Sequence, residues 1–156
     1  MVYDMNYDLI RIVSLALNKT KAKISDIPDW SKIISTAKQH GITAALYVGL
    51  TYNNPKDKDI VLKIRNRYYS ELKFDLIQQN TINCIQSSFE NNGIYSIALK
   101  GSNTKRRYPQ TVLRSMGDID ILIKPSQNSI VKSIMTSLGF ASFSEGRKHD
   151  HYNKQK

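Results

Sequence analysis

The sequence predicts an α+β protein in which a helical first part is followed by a shorter part containing β-strands. Apolar residues recur at helical spacing through residues 1–92, and short apolar runs with turn signals replace this pattern from Gly93 onward. The chain has 156 residues, which is enough for one domain or for a small α/β core with a helical attachment. We therefore divide it into a helical region, residues 1–92, and an α/β part, residues 93–156.

The helical region contains signals for four helices. Asp29 precedes a helical stripe as a cap would, and Gly41 follows that stripe where a C-terminal glycine belongs. The predicted helices cover residues 9–17, 30–39, 43–50 and 57–90, with turns at residues 25–28 and 53–55. The long fourth helix is predicted to turn one stripe inward: Ile60, Ile64, Tyr68, Leu72, Leu76, Ile82, Ile85 and Phe89.

The α/β part is predicted to begin with a strand and to end in a polar tail. Strands are expected at residues 94–99, 118–123 and 140–144, a helix or loop through Arg107, a helix at residues 127–138, and a mobile tail from Glu145 onward. His149 and His151 fall in that tail and would need a third ligand to hold a metal, so a solvated tail is the preferred interpretation.

Asp118 and Asp120 are the most informative residues of the chain. In a strand they share one face, while Ile119, Ile121 and Ile123 share the other. Two carboxylates on one face repel each other unless a cation lies between them, and Mg²⁺ or Mn²⁺ suits such oxygen ligands. The alternative is a solvent-exposed strand end, but aspartate is disfavoured in strands, so we favour metal binding.

Gly101 and Ser102 form a turn directly after the first predicted strand. Glycine has no Cβ, so the backbone can approach a phosphate, and a helix starting here would direct N–H groups toward the anion. Lys100 precedes the turn, and Lys105 to Arg107 follow it. A plain strand-to-helix turn beside a basic surface explains the same residues. Arg114 could pair with phosphate or merely neutralise Asp118.

The charge of the chain favours polyanionic partners, or it serves solubility alone. There are 23 Lys and Arg against 13 Asp and Glu, a formal net charge of +10. Tyr68, Tyr69 and Phe74 alternate with cations on the long helix, a pattern that can stack and neutralise single-stranded nucleic acid. A core stripe with a charged outer side explains that pattern too, and it is the interpretation we prefer.

The remaining features indicate a cytoplasmic protein without a membrane partner. Residues 1–6 lack the basic start and apolar core of a signal peptide, and no apolar run approaches the ~20 residues that span a bilayer. Cys84 is the only cysteine and is expected to be an inert, buried thiol on the long helix.

Several short motifs occur in an order that resembles a known family. Leu99-Lys100-Gly101-Ser102, then Tyr108-Pro109, then Arg114 ahead of Asp118-Ile119-Asp120, then Gly139-Phe140, resemble the uncharacterised bacterial nucleotidyltransferase-like family of the polymerase β superfamily. The motifs cover about residues 93–140, and the helical part matches in character only.

The resemblance implies a helical region packed on a small mixed β-sheet core of the nucleotidyltransferase type. It implies that Gly101 and Ser102 contact the phosphates of a nucleoside triphosphate, with Lys100 and Arg114 neutralising charge. Asp118 and Asp120 would bind Mg²⁺ or Mn²⁺ as catalytic residues. The acceptor of the nucleotidyl group is unknown: protein, RNA or a small molecule.

The sequence departs from the family after Asp120. The family's third carboxylate follows a histidine-containing stretch, which His149-Asp150-His151 resembles, and the chain ends at Lys156. The resemblance therefore implies either a chain cut short at its C-terminus or an inactive relative, with Glu145 or Asp150 as substitute ligands. Three functions follow as hypotheses: a nucleotidyltransferase, a catalytically incomplete binding or regulatory module such as a toxin–antitoxin-like component, and a nucleic-acid binder.

Overall fold

The structure, a computed structural model, describes residues 5–21, 29–53, 58–145 and 150–154. The described residues form six α-helices and four β-strands, so the α+β class is confirmed. They divide into two compact units that are each discontinuous in sequence: residues 1–77 with 101–118, and residues 78–100 with 119–156. The division of the chain at residues 92 and 93 by sequence pattern stays a prediction. The predicted turn at residues 25–28, the Asn54-Pro55 step and His149 lie outside the described residues.

The first unit is helical. It contains α1 (Met5–Asn18), α2 (Trp30–Gln39), α3 (Thr43–Thr51), the first part of α4 (Lys58–Asn91), the short α5 (Gly101–Lys105) and a 3₁₀ helix (Thr111–Leu113). Its core is apolar: Leu9, Ile12, Ile33, Ala37, Leu46, Leu50 and Ile64 form one cluster, and Ala16, Ala44, Ala45, Val48, Val112 and Leu113 form another.

Local signals fixed the ends of α2 as the sequence predicts. The Asp29 carboxylate accepts a hydrogen bond from the Lys32 N–H at 3.1 Å, and Gly41 has a φ of +64°, a conformation that favours glycine. Gly49 serves a different purpose. A Cβ at this position would overlap the carbonyl oxygen of Ile12, so the glycine permits α3 to pack closely on α1.

The long helix α4 exists with nearly the predicted ends, but its sides differ from the prediction. Leu76, expected inward, is 52% exposed, whereas Asp75 and Gln78 are buried. Asp75 occupies the inward position because it has polar partners there, Lys105 and Thr111. Tyr69 is 55% exposed, so it does not belong to a core stripe. Phe74 is also exposed and does not belong to a core stripe either. Cys84, expected to be buried, is exposed.

The second unit combines the rest of α4 with α6 (Asn128–Ser137) and four short strands: β1 (Ser96–Ala98), β2 (Ile121–Ile123), β3 (Phe140–Glu145) and β4 (Asp150–Lys154). Strand β1 pairs with β2, and β3 pairs with β4, both antiparallel. Within the described residues the strands form two antiparallel pairs, so the predicted small mixed β-sheet is wrong. The core lies where Ile85, Phe89 and Ile94 contact α6 residues Val131 and Ile134.

The prediction of a mobile tail is also wrong for residues 150–154. Asp150–Lys154 forms β4, and Tyr152 packs against the core of this unit. Polar residues extend as a strand here because pairing with β3 satisfies their backbone groups. No helix among the described residues is both long enough and apolar enough to cross a bilayer.

Candidate functional site

Asp118 and Asp120 lie in an extended segment that leads into β2. The predicted strand at residues 118–123 is shorter than expected, because only Ile121–Ile123 pairs as β2. The Leu99 N–H donates to the Asp120 carbonyl oxygen at 2.9 Å, which prolongs the contact with β1 by one bond. Both carboxylates are exposed to solvent. They are therefore accessible to a cation, and folding leaves them hydrated.

The predicted alternation of faces holds from Asp120 onward. Asp120 and Leu122 are exposed, whereas Ile121 and Ile123 pack against the core of the second unit. This anchoring fixes which way the Asp120 side chain points, because a slip of one residue would bury the carboxylate and expose isoleucine.

Lys100 is the residue that the structure brings to Asp120. Its Nζ lies 3.6 Å from the Asp120 Oδ2, and the two side chains are 80% and 50% exposed. The backbone of Lys100 has a φ of +42°, the left-handed region that a lysine rarely adopts. Such strain persists only where the surroundings impose it, and it concentrates at ligand-binding turns.

Gly101 and Ser102 begin α5 in the first unit and are covered by Met116. A Cβ on Gly101 would lie 2.7 Å from the Met116 Sδ, so the missing side chain leaves room for methionine. Ser102 is buried, and its hydroxyl donates to the same sulfur at 3.7 Å. Helix α5 has only five residues, so its dipole is a small contribution to any anion site.

Arg114 lies close to this turn in the first unit. Its Nη1 is 3.7 Å from the position of a Cβ on Gly101, and it donates to the Ser115 carbonyl oxygen at 3.4 Å. That hydrogen bond is long, and the side chain is partly exposed. The guanidinium therefore has donors available near the turn.

Lys105 does not belong to an exposed basic surface. It is buried in the first unit and forms an ion pair with Asp75, their side chains being 5% and 3% exposed. The Thr111 hydroxyl donates to the other carboxylate oxygen of Asp75 at 2.6 Å. These contacts tie α5 and the 3₁₀ helix to α4, and so hold the turn that begins with Gly101.

Sequence reasoning missed Met116 and Asp75. Met116 lies within the motif preceding Asp118, but nothing in the sequence pairs it with Gly101. Asp75 gave a usable signal: it is seven residues from Tyr68 and from Ile82, so it falls on the inward stripe of α4. An acid in that position requires a buried cationic or hydrogen-bonding partner.

The predicted metal ligands are two carboxylates, those of Asp118 and Asp120. Over the residues that the structure describes, no group of three or more His, Cys, Asp or Glu side chains could hold a metal ion. Asp150 lies on β4, and the side chain of Glu145 is outside the described part. Two carboxylates nevertheless suit Mg²⁺, which commonly binds to one or two carboxylates and completes its shell with water and phosphate oxygens.

The structure defines an α+β protein with a strained, lysine-bearing turn and an exposed Asp-x-Asp segment. A family model described as "uncharacterised nucleotidyltransferase" matches residues 26–156, and the chain therefore belongs to this family. No curated protein and no solved structure gave a match. The description of the family suggests a nucleotide substrate.

Proposed function

We propose that this protein is a metal-dependent nucleotidyltransferase that binds a nucleoside triphosphate and transfers a nucleotidyl group to an acceptor. The pairing of exposed Lys100 with exposed Asp120 is the observation that carries this proposal. One cation and one carboxylate, both accessible and adjacent, supply a partner for phosphate and a ligand for a divalent ion. The nucleotidyltransferase type of fold and its place in the polymerase β superfamily belong to the same proposal.

Asp118 and Asp120 would hold Mg²⁺ or Mn²⁺. They are two residues apart, so their Cα atoms are at most about 7 Å from each other by chain geometry alone. A bound divalent ion would polarise the α-phosphate and stabilise charge on the leaving group. The Lys100–Asp120 separation of 3.6 Å is longer than a strong charged hydrogen bond, so the pair can separate when metal and phosphate arrive.

Lys100, Gly101, Ser102 and Arg114 would bind the phosphates. Transfer forms a bond from the acceptor oxygen to the α-phosphorus, releases the acceptor's proton to water, and breaks the bond to the bridging oxygen, so pyrophosphate leaves with its charge. Lys100 and Arg114 would neutralise that charge. Because Met116 occupies the space beside Gly101 and accepts from Ser102, these two residues would contribute mainly backbone N–H groups.

The direct test is incubation with each labelled nucleoside triphosphate and Mg²⁺ or Mn²⁺. We expect label to appear on protein, RNA or a small molecule, and to be lost in the Asp118→Asn, Asp120→Asn double variant. Asp59→Asn, which removes another exposed carboxylate from the first unit, serves as the matched control. Equal Mn²⁺ affinity in the wild type and the double variant would refute the metal site.

The second candidate is a nucleotidyltransferase-fold module that binds nucleotide without turnover, in a regulatory or toxin–antitoxin-like role. No group of three or more His, Cys, Asp or Glu side chains among the described residues could hold a metal ion, which favours this module because the resemblance implies a third carboxylate. Nucleotide binding that depends on Asp118 and Asp120, with no transfer to any acceptor, would support this module over the enzyme.

A further inference from the structure

The outer side of α4 in the first unit carries a regular row of exposed apolar residues. Leu62, Tyr69 and Leu76 are 47%, 55% and 52% exposed, and they recur every seven residues. Residues seven apart lie on nearly the same side of a helix. Such a row in contact with water is a candidate interaction surface. We call the surface formed by Leu62, Arg65, Tyr69, Lys73 and Leu76 the Tyr69 face.

The charge on the Tyr69 face has one sign. Arg65 and Lys73 lie one turn before and one turn after Tyr69, both exposed, and neither has an ion-pair partner within the described part of the chain. Between residues 60 and 89 the only acids of α4 are Glu71 and Asp75, and both are engaged. Glu71 accepts from the Ala44 N–H and pairs with Arg67, while Asp75 is buried against Lys105.

The Tyr69 ring is held in place while remaining open to solvent. It meets the Tyr68 ring edge-on, with centroids 5.5 Å apart, and Tyr68 in turn stacks on Tyr47 at 4.6 Å. The Tyr68 hydroxyl donates a hydrogen bond to the Gln110 Oε1 at 3.4 Å. Burial, aided by Tyr47 and Tyr69, raises the pKa of Tyr68, so this hydroxyl keeps its proton. A ring braced in this way loses little conformational freedom when a ligand stacks on it.

We propose that the Tyr69 face binds single-stranded nucleic acid, with a base stacked on Tyr69 and flanking phosphates paired with Arg65 and Lys73. An aromatic ring between cations is the arrangement by which single strands are held without sequence preference. The two cations are on the order of 12 Å apart along the helix axis, so they lie on opposite sides of the stacked base.

Other occupants of the Tyr69 face are less suitable. A second copy of this chain would bring Arg65 and Lys73 against the same cations. A duplex would keep its bases stacked inside, out of reach of Tyr69. The proposal concerns binding alone, so it does not depend on nucleotidyl transfer and can succeed or fail separately.

The test is a fluorescence anisotropy titration of the full chain with a labelled oligouridylate of about 15 nucleotides, within the range of single-strand site sizes. Tyr69→Ala should weaken binding about fivefold or more without changing the salt dependence, and Tyr69→Phe should restore it, because stacking needs the ring and not the hydroxyl. Arg65→Gln with Lys73→Gln should reduce the slope of log K against log salt by about 1.4, the value for two phosphate contacts on a single strand.

Lys32→Gln with Lys38→Gln is the matched control, because it removes two exposed charges from α2 in the same unit. This variant should keep most of the affinity and the slope. An equal loss in this control, or wild-type binding by Tyr69→Ala, overturns the proposal in favour of general charge attraction. Competition by a duplex as strong as that of the unlabelled single strand also overturns the proposal. Equally strong competition by polyglutamate overturns it too, and indicates an acidic protein partner instead.

Discussion

The protein has two lysine–aspartate pairs whose lysines lie just before α5 and at its end. One pair is buried and the other is exposed to solvent. Lys105 and Asp75, in the first unit, are almost wholly buried and share a hydrogen bond from Thr111. Lys100 and Asp120, in the second unit, are 80% and 50% exposed and 3.6 Å apart. The lysines are only five residues apart in a stretch that reads as uniformly basic.

The difference separates residues that hold the structure from residues that remain available to a ligand. A buried pair has already lost its water, so removal of one partner leaves an uncompensated charge in a poor solvent. An exposed pair contributes little to stability, since water and salt screen it. Lys100 and Asp120 can therefore exchange partners with the proposed phosphate and metal, whereas Lys105 and Asp75 cannot do so without unfolding their surroundings.

The largest expected effect is that of Asp75→Ala on stability. We expect the free energy of unfolding of the first unit to fall by about 3–5 kcal/mol, because Lys105 would remain buried without its partner. Trp30, the only tryptophan, packs in the core of that unit, so its fluorescence during urea unfolding reports this change. Adding Lys105→Met to Asp75→Ala should recover part of the lost stability. If Asp75→Ala lowers the free energy of unfolding by less than about 1 kcal/mol, the ion pair does not hold the structure.

The second effect is on activity. The Asp118→Asn, Asp120→Asn double variant should lose at least about a hundredfold in nucleotidyl transfer, since a divalent ion supplies several kcal/mol of transition-state stabilisation. Its stability should stay within about 0.5 kcal/mol of wild type because both carboxylates are exposed. Asp75→Ala, assayed at a temperature where it is folded, should show the reverse: a large loss of stability and little loss of nucleotidyl transfer.

The third effect distinguishes the strain at Lys100 from its charge. Lys100→Gly and Lys100→Gln both remove the charge, and each should weaken nucleotide binding about fivefold, measured by calorimetry. Only the glycine variant relieves the φ of +42°, so it should be more stable than the glutamine variant by about 1 kcal/mol. Equal stabilities would mean that the turn is not strained.

The smallest effect is that of salt. Raising the salt from about 0.1 M to about 1 M shortens the Debye length from about 10 Å to about 3 Å. Any stability difference between wild type and Lys100→Gln, expected to be below about 1 kcal/mol, should then disappear. The deficit of Asp75→Ala should persist in the same buffers, because solvent ions do not reach a buried pair.

Much of the fold could be predicted because local chemistry decided it. The cap at Asp29 and the glycine at position 41 set the ends of α2, and the apolar stripe of α6 ends before Gly139 as expected. The prediction of a mobile tail failed over Asp150–Lys154, since these residues are polar and only pairing with β3 makes them a strand. For the site, the metal and phosphate residues stay predictions, and the structure adds Met116 beside Gly101 and Ser102, and Asp75 as the buried partner of Lys105.

The sequence by itself determined the ends of α2, the alternation that exposes Asp120, and membership of the nucleotidyltransferase family. These properties depend on residues close together in the chain, whose caps, glycines and periodicity act locally. The tertiary structure decided that Asp75 and Lys105 are buried together, that Lys100 stays with Asp120 in solvent, and that Tyr69 lies outside the core. Burial of a charge or exposure of a ring depends on distant partners, and those partners meet only when the chain has folded.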